Sequence, residues 1–273
     1  MQEGAGDDRV PRMTTVADIE QFLGRLAPLR LAESWDNVGL LVGDHRQIVE
    51  RVMTCLTVTP TTAAEAIDGG ASLIVTHHPL PFSPLKRLTS DTTTGQLLLN
   101  LVAARIAVYS AHTAWDSAAE GINRSLADGL KLRGVQPIVP HPMGQGAGRY
   151  GWLEDSVTLG SFAERVQQLL GIEGMQVVGR DDDAFRTVGI ACGSAGEMLA
   201  AARSVGCEAF VLGESRFHTC LEAEAIGMSL LLPGHYASER FAMERLAVRL
   251  VAEFPTVETW ASRKERDPLR WVT

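Results

Sequence analysis

The feature that most constrains this chain is a recurring unit. A short apolar run, too brief for a helix, stops at a polar turn and is followed by a helical pattern. Runs at residues 49–58, 71–75 and 106–110 belong to the first half, and runs at 156–159, 187–192, 209–212 and 229–232 to the second. Continuous apolar stretches of this length read as strands covered on both faces. Strands that alternate with helices read as crossover units of a parallel sheet. The pattern predicts an α/β fold with mixed, mainly parallel sheets.

The helical segments carry their own signals. Residues 16–26 place Ile19, Phe22, Leu23 and Leu26 on one face. Pro60 opens a helix that Gly69-Gly70 ends. Further helices are expected over 91–104, 118–130, 161–170, 197–205, 217–226 and 238–254, the last turning Phe241, Leu246 and Leu250 inward. Pro137, Pro140, Pro142 and four glycines between 144 and 151 interrupt the alternation, so an internal boundary is expected near residue 135.

Composition narrows the function classes. With 25 Lys+Arg against 33 Asp+Glu, the net charge of −8 disfavours a nucleic-acid binder that relies on a basic face. No apolar stretch approaches the ~20 residues of a membrane span. The first twelve residues are acidic and lack the apolar core of a secretory signal. The four cysteines form no CxxC pair, and Cys55 and Cys192 sit within apolar runs as small buried hydrophobes. A reducing, cytoplasmic location is expected.

Chemistry-bearing residues gather at strand ends, where ligands collect in parallel α/β sheets. His77 and His78 follow the strand at 71–75, with Pro79 turning the chain out of strand geometry. His112 and Asp116 follow the next strand. His235 and Glu239, four residues apart, share a face if the last helix begins near His235. Imidazole with carboxylate suits Zn²⁺, Mn²⁺, Fe²⁺ or Ni²⁺. Five such ligands exceed the need of one catalytic zinc and suit two ions sharing a carboxylate.

Read in order, WDNVGLLVGD (35–44), VTHHP (75–79), AHTAWD (111–116), GAGRYG (146–151), LGESRFH (212–218) and GHYASE (234–239) resemble the GTP cyclohydrolase I type 2 homologue family, the NIF-three-like proteins, in their short form. The resemblance implies two interlinked α/β domains: 13–134 with 233–273, and 135–232, behind a flexible extension at 1–12. It further implies a toroidal homohexamer and two divalent metal ions per chain, held by His77, His78, Asp116, His235 and Glu239, with Glu239 as the bridge. The family's usual Asn-Leu before the aspartate is Ala114-Trp115 here, its Thr-Gly-Asp is Leu212-Gly213-Glu214, and an aspartate common at the first strand's exit is Thr57.

Other motifs are weaker. Gly146 to Gly151 spells GxGxxG, but it follows a Pro-rich stretch and precedes a strand, so it is not a dinucleotide fingerprint. Arg149 within it remains available to an anion, and Ser194 sits in a βα turn whose N–H groups suit a phosphate. His112, and Glu214 with His218 four residues on, are the proton-carrier candidates. The leading expectation is a metal-dependent hydrolase of a small anionic or nucleotide-like molecule. The competing class is a metal-storage, delivery or scaffold ring that does no chemistry.

Overall fold

Local chemistry sets the helix starts before any packing is considered. Thr15 caps the first helix: its hydroxyl accepts the Asp18 N–H, and the Asp18 carboxylate accepts the Thr15 N–H at 2.9 Å. Thr59 does the same ahead of Pro60. The computed structural model describes residues 13–142 and 145–270; the extension expected over 1–12 lies outside them.

In the first half the elements are α1 (Val16–Leu26), β1 (Gly39–Val42), β2 (Arg51–Cys55), α2 (Pro60–Asp68), β3 (Leu73–Thr76), α3 (Thr93–Ala103), β4 (Ala107–Ser110), α4 (His112–Ser117) and α5 (Ile122–Gly129). Then come β5 (Arg133–Gln136), β6 (Val139–Pro140), β7 (Gly146–Ala147), β8 (Arg149–Thr158), α6 (Leu159–Leu170), β9 (Gln176–Val178) and β10 (Ala184–Ser194). The chain finishes with α7 (Leu199–Ser204), β11 (Ala209–Glu214), α8 (Phe217–Ala225), β12 (Ser229–Leu232), α9 (His235–Glu253) and β13 (Glu258–Ala261).

Among the described residues two large sheets result, in the orders β1-β4-β3-β2-β13 and β5-β8-β10-β11-β12-β9, and β6 pairs β7 in a small third one. In the first, β4, β3, β2 and β13 are mutually parallel and β1 is antiparallel. In the second, β10, β11 and β12 are parallel, with antiparallel strands at the flanks. The alternation of side chains across each strand builds three cores. Val52, Leu73, Val75 and Tyr109 of the first sheet share one core with Val188, Ile190, Val211 and Leu231 of the second. Met53, Ile74 and Val108 pack outward on α2 and α3, and Phe210, Leu212 and Leu230 pack outward on α7 and α8. Helix α9 lies in the middle layer, burying Ala242, Met243, Leu246 and Leu250 between the sheets. Burying each of its leucines contributes about 1.5–3 kcal/mol.

Several boundaries differ from the sequence reading, each for a local reason. The strand expected over 49–58 ends at Cys55, because the Leu56 and Thr57 N–H groups donate to the Glu265 carboxylate at 2.9 and 2.8 Å. The helix expected over 118–130 is α5 and starts only after Gly121, with the separate short helix α4 ahead of it over His112–Ser117. A Cβ at Gly121 would strike the Trp115 carbonyl. The last helix starts at His235, not at 238, because Gly234 turns the chain at φ +103. Edge strands β1 and β13, four residues each, were too short to register as alternation. No helix among the described residues is long and apolar enough to cross a membrane.

Candidate metal centre

The carboxyl ends of β2, β3, β4 and β10 and the start of α9 open onto one cleft of about 870 Å³. His77 and His78 leave β3, and their rings stand 5.2 Å apart at a 47° tilt. Adjacent strand residues would diverge; here the turn at Pro79 brings both rings toward the same carboxylate. His112 enters α4 at φ +31, which puts its ring 5.2 Å from His77 and 5.6 Å from His78. His235 and Glu239 occupy successive turns of α9, with His235 Nε2 3.1 Å from Glu239 Oε2.

Glu239 is the hub. Its Oε2 lies 3.1 Å from both His78 Nε2 and His235 Nε2, while its Oε1 faces His77 Nε2 at 3.7 Å. Asp116 Oδ1 faces the same His77 nitrogen at 3.7 Å and accepts from the Cys192 thiol at 3.2 Å. His77, His78 and His112 bring donor atoms within 4.8 Å of one another, as do His78, His235 and Glu239. The site residues read from sequence as ligands are thus brought together, with His112 nearer to His77 and His78 than the sequence suggested.

One feature separates this cluster from an ordinary buried ion pair. The His77 side chain is fully buried, and neither ring nitrogen has a hydrogen-bond partner. A buried imidazole left in this state costs roughly 1–3 kcal/mol, and native interiors seldom tolerate it. A cation between His77 and the two carboxylates would satisfy it. The donor set of three or four imidazoles and two carboxylates fits Zn²⁺, Mn²⁺, Fe²⁺ or Ni²⁺.

The electrostatics point the same way. Burial would raise the Glu239 carboxyl, but the charge on His77 and hydrogen bonds from His235 and His78 hold it well below its ordinary value. His235 is raised to about 9, first by its hydrogen bond to Glu239. Burial alone would lower His77, yet Asp116 and Glu239 raise it. Burial lifts Asp116. The buried carboxylates therefore draw positive charge onto His77 and His235, while burial lowers His78 and keeps it a neutral donor; a bound cation would meet the same demand by displacing protons.

Outer contacts fix the rings. Thr57 Oγ1 sits 2.7 Å from His78 Nδ1, so the threonine in place of the usual aspartate still meets the ligand. Glu214 Oε1 lies 3.0 Å from His235 Nδ1, so Glu214, the last residue of β11, meets His235 directly. Asp36 receives His112 Nδ1 at 2.8 Å and also holds Thr113. Such partners set tautomer and ring orientation. Gly193, at φ +66, is required by close approach: a Cβ there would collide with the Glu239 carboxylate and come within 3.3 Å of His235 Nε2.

Two of the expected site residues are corrected. Arg149 is not available to an anion. It is 3% exposed, and its guanidinium donates to the carbonyls of Gly146, Gly148, Ser117 and Ala118, tying β8 to the end of α4. His218 is exposed on α8, with its ring 5.8 Å from that of Phe217, and is not among the residues lining the cleft. Ser194 does line it. Sequence reasoning missed Asp36 and took Cys192 for a plain hydrophobe. The fixed motif Trp35-Asp36-Asn37 was the available signal for the first; nothing in an apolar strand could have marked the second.

A sequence model of the Duf34/NIF3 (NGG1p interacting factor 3) family matches residues 14–268. A "GTP cyclohydrolase 1 type 2 homolog" from Clostridium perfringens is 28% identical over 258 residues, covering 93% of this chain and 98% of its own length. One of the same name from Streptomyces coelicolor is 34% identical over 234 residues, covering 83% and 82%. Among solved structures, a Bacillus cereus protein related to NIF3 superposes with a TM-score of 0.87 at 24% identity, over 96% of this chain and 100% of that one, which is a likeness of fold. Fold, motif order and family match agree, and the chain belongs to the Duf34/NIF3 family.

Proposed function

We propose that the chain is a metal-dependent hydrolase that holds two divalent ions and acts on a small, nucleotide-like or anionic molecule. The observation that carries this reading is His77, buried with both ring nitrogens unpartnered beside two carboxylates. His77, His78, Asp116, His235 and Glu239 are the proposed ligands. Glu239 is suited to bridging, because its two oxygens face different imidazoles, Oε1 toward His77 and Oε2 toward His78 and His235. Paired divalent ions supply Lewis acidity and an acidified water to a hydrolytic site. The chain's own residues do the rest. Asp36 fixes His112 through Nδ1, which leaves Nε2 as the nitrogen that can take or return a proton at the cleft. The name carried by the relatives supports a nucleotide-like substrate. A ring of six copies is part of the same proposal, and light scattering on purified protein tests it.

The deciding experiment is metal content per chain by mass spectrometry, on untagged protein purified without chelator, beside Glu239→Ala. Hydrolysis of a nucleotide panel that includes GTP follows, in the retained metal, with His112→Ala as comparison. About two ions per chain, lost in Glu239→Ala, with turnover lost in His112→Ala at unchanged metal content, is the expected result. No metal after reconstitution with Zn²⁺, Mn²⁺ or Fe²⁺ would overturn the centre. Metal retained with no turnover on any panel member would move the protein to the storage class.

A further inference from the structure

Beside the buried donors the cleft exposes two large aromatic rings. Trp35 is 61% exposed and Phe82 54%, and both line the cavity. Their centroids are 6.1 Å apart with planes tilted by 32°. That is already the spacing of a contacting aromatic pair, so the two rings form one continuous platform instead of a clamp. The platform is joined to the metal ligands by a single imidazole. His112 stands 6.0 Å from Trp35 and 5.8 Å from Phe82 on one side, and 5.2 Å from His77 on the other.

The platform is built, although it is exposed. Asp36, next to Trp35, is anchored to His112 and Thr113. Asn37 donates to the Pro81 carbonyl at 2.7 Å, which ties the loop bearing Trp35 to the loop bearing Phe82. Three consecutive residues thus supply a ring, an anchor and a tie. The charge of the wall is equally specific. Glu33, Glu197, Asp116 and Glu239 line the cavity, and no lysine or arginine lines it among the described residues. Sites that grip polyphosphates place arginine or lysine at the oxygens.

We propose that Trp35 and Phe82 are the ring-binding subsite of this cleft, and that they take the planar heteroaromatic ring of a nucleoside-sized molecule of low charge, with its polar end directed past His112 toward His77 and His78. This rests on the reading of the cleft as a substrate site, but stacking on the platform does not require an ion. A triphosphate tail would meet carboxylates in place of fixed cations, so added phosphates weaken binding to the protein chain itself.

The test is titration calorimetry on chelator-treated, full-length protein with adenosine, inosine, cytidine, inosine triphosphate and inorganic triphosphate. Wild type is compared with Trp35→Ala, Phe82→Ala and Trp35→Phe. At least one nucleoside is expected to bind with a sub-millimolar Kd, and inosine triphosphate to bind more weakly than inosine. Trp35→Ala should weaken nucleoside binding roughly tenfold, the usual cost of removing a stacking partner, while Trp35→Phe retains most of it. Metal content of the same variants, measured separately, should stay at the wild-type level. The proposal is overturned if no nucleoside binds, if inorganic triphosphate binds as tightly as the nucleosides, or if Trp35→Ala leaves binding intact and instead changes the oligomeric state. Ring binding that persists in a protein unable to hold metal would keep this proposal and remove the metal-centre reading, so the two fail separately.

Discussion

The molecule contains two clusters of buried carboxylates, and they are built to opposite rules. Around Glu65 and Glu265 the carboxylate oxygens find hydrogen-bond donors within the chain. The Glu65 carboxylate accepts from the Ser262 hydroxyl and from the N–H groups of Arg263 and Lys264 at 2.8 and 3.0 Å. Glu265 accepts from Leu56 and Thr57 and faces the Arg240 guanidinium at 2.7 Å. Around Glu239 the partners are imidazoles, one of which, His77, is buried with neither ring nitrogen hydrogen-bonded. A saturated carboxylate cluster is a clamp, here fastening the C-terminal segment to β2 and α2. An unsaturated one, at the meeting of strand ends from both sheets, is a place for a cation.

The comparison breaks most directly at the two hubs. Glu239→Ala should reduce bound metal from about two ions per chain to near none, measured by mass spectrometry after dialysis, whereas Glu65→Ala should leave metal content unchanged. Equal metal loss in both would mean that the clusters do not differ in kind.

Chelation sharpens the same contrast by heat. A ligand that binds only the folded state at a thousandfold excess over its Kd stabilises by about 4 kcal/mol, a shift on the order of 10 °C for a chain of this size. Differential scanning fluorimetry with and without EDTA should show such a shift in wild type and in Glu65→Gln, and none in Glu239→Ala. A wild-type melting curve indifferent to EDTA would contradict the assignment of the unsaturated cluster.

The clamp has its own signature in pH. Burial would raise the Glu65 carboxyl, but the Arg263 N–H, the Ser262 hydroxyl and the Lys264 N–H outweigh it and hold the group below its ordinary value of 4.5. Its folded-state pKa is therefore depressed, so its contribution is present above pH ~4.5 and is lost as the pH falls through the folded value. Glu65→Gln should cost about 2 kcal/mol at neutral pH, since charge-assisted hydrogen bonds become neutral ones. In urea unfolding of metal-free protein, the gap from wild type should close as the pH falls below 4.5 and through the depressed folded value. A gap that persists in acid would assign the loss to packing.

How much of this was legible in sequence depended on whether the signal was local. Helix α1 was readable to the residue, because its apolar face (Ile19, Phe22, Leu23, Leu26) lies within one stretch. Strand β12 was equally readable, as a four-residue apolar run between turns. The gathering of His77, His78, Asp116, His235 and Glu239 was legible because strand ends concentrate chemistry and because the six motifs fall in one order. Arg149 was misjudged because its carbonyl partners, Ser117 and Ala118, are some thirty residues away, and a lone arginine in a glycine-rich loop gives no hint of them. The end of β2 was misplaced for the same reason: Glu265, which captures the Leu56 and Thr57 N–H groups, is over two hundred positions distant. Side chains that answer backbone groups across the fold leave no periodicity to read.

The smallest expected effect lies where the two clusters touch. Glu265 holds the Thr57 N–H, and the Thr57 hydroxyl meets His78 Nδ1 at 2.7 Å, so the clamp positions one metal ligand through a single residue. Thr57→Val keeps the shape and the N–H bond but deletes the hydroxyl. Outer partners of metal-bound histidines are typically worth 10–100-fold in affinity, and a neutral hydroxyl should sit at the low end, near tenfold, or about 1.4 kcal/mol. Competition with a chromophoric chelator reads this directly, and Thr57→Ser should restore most of the loss. The metal-free melting temperature should remain within a degree or two of wild type, because the Glu265 contact is untouched. An affinity that does not move would cut the link between the clusters and leave His78 oriented by Glu239 alone.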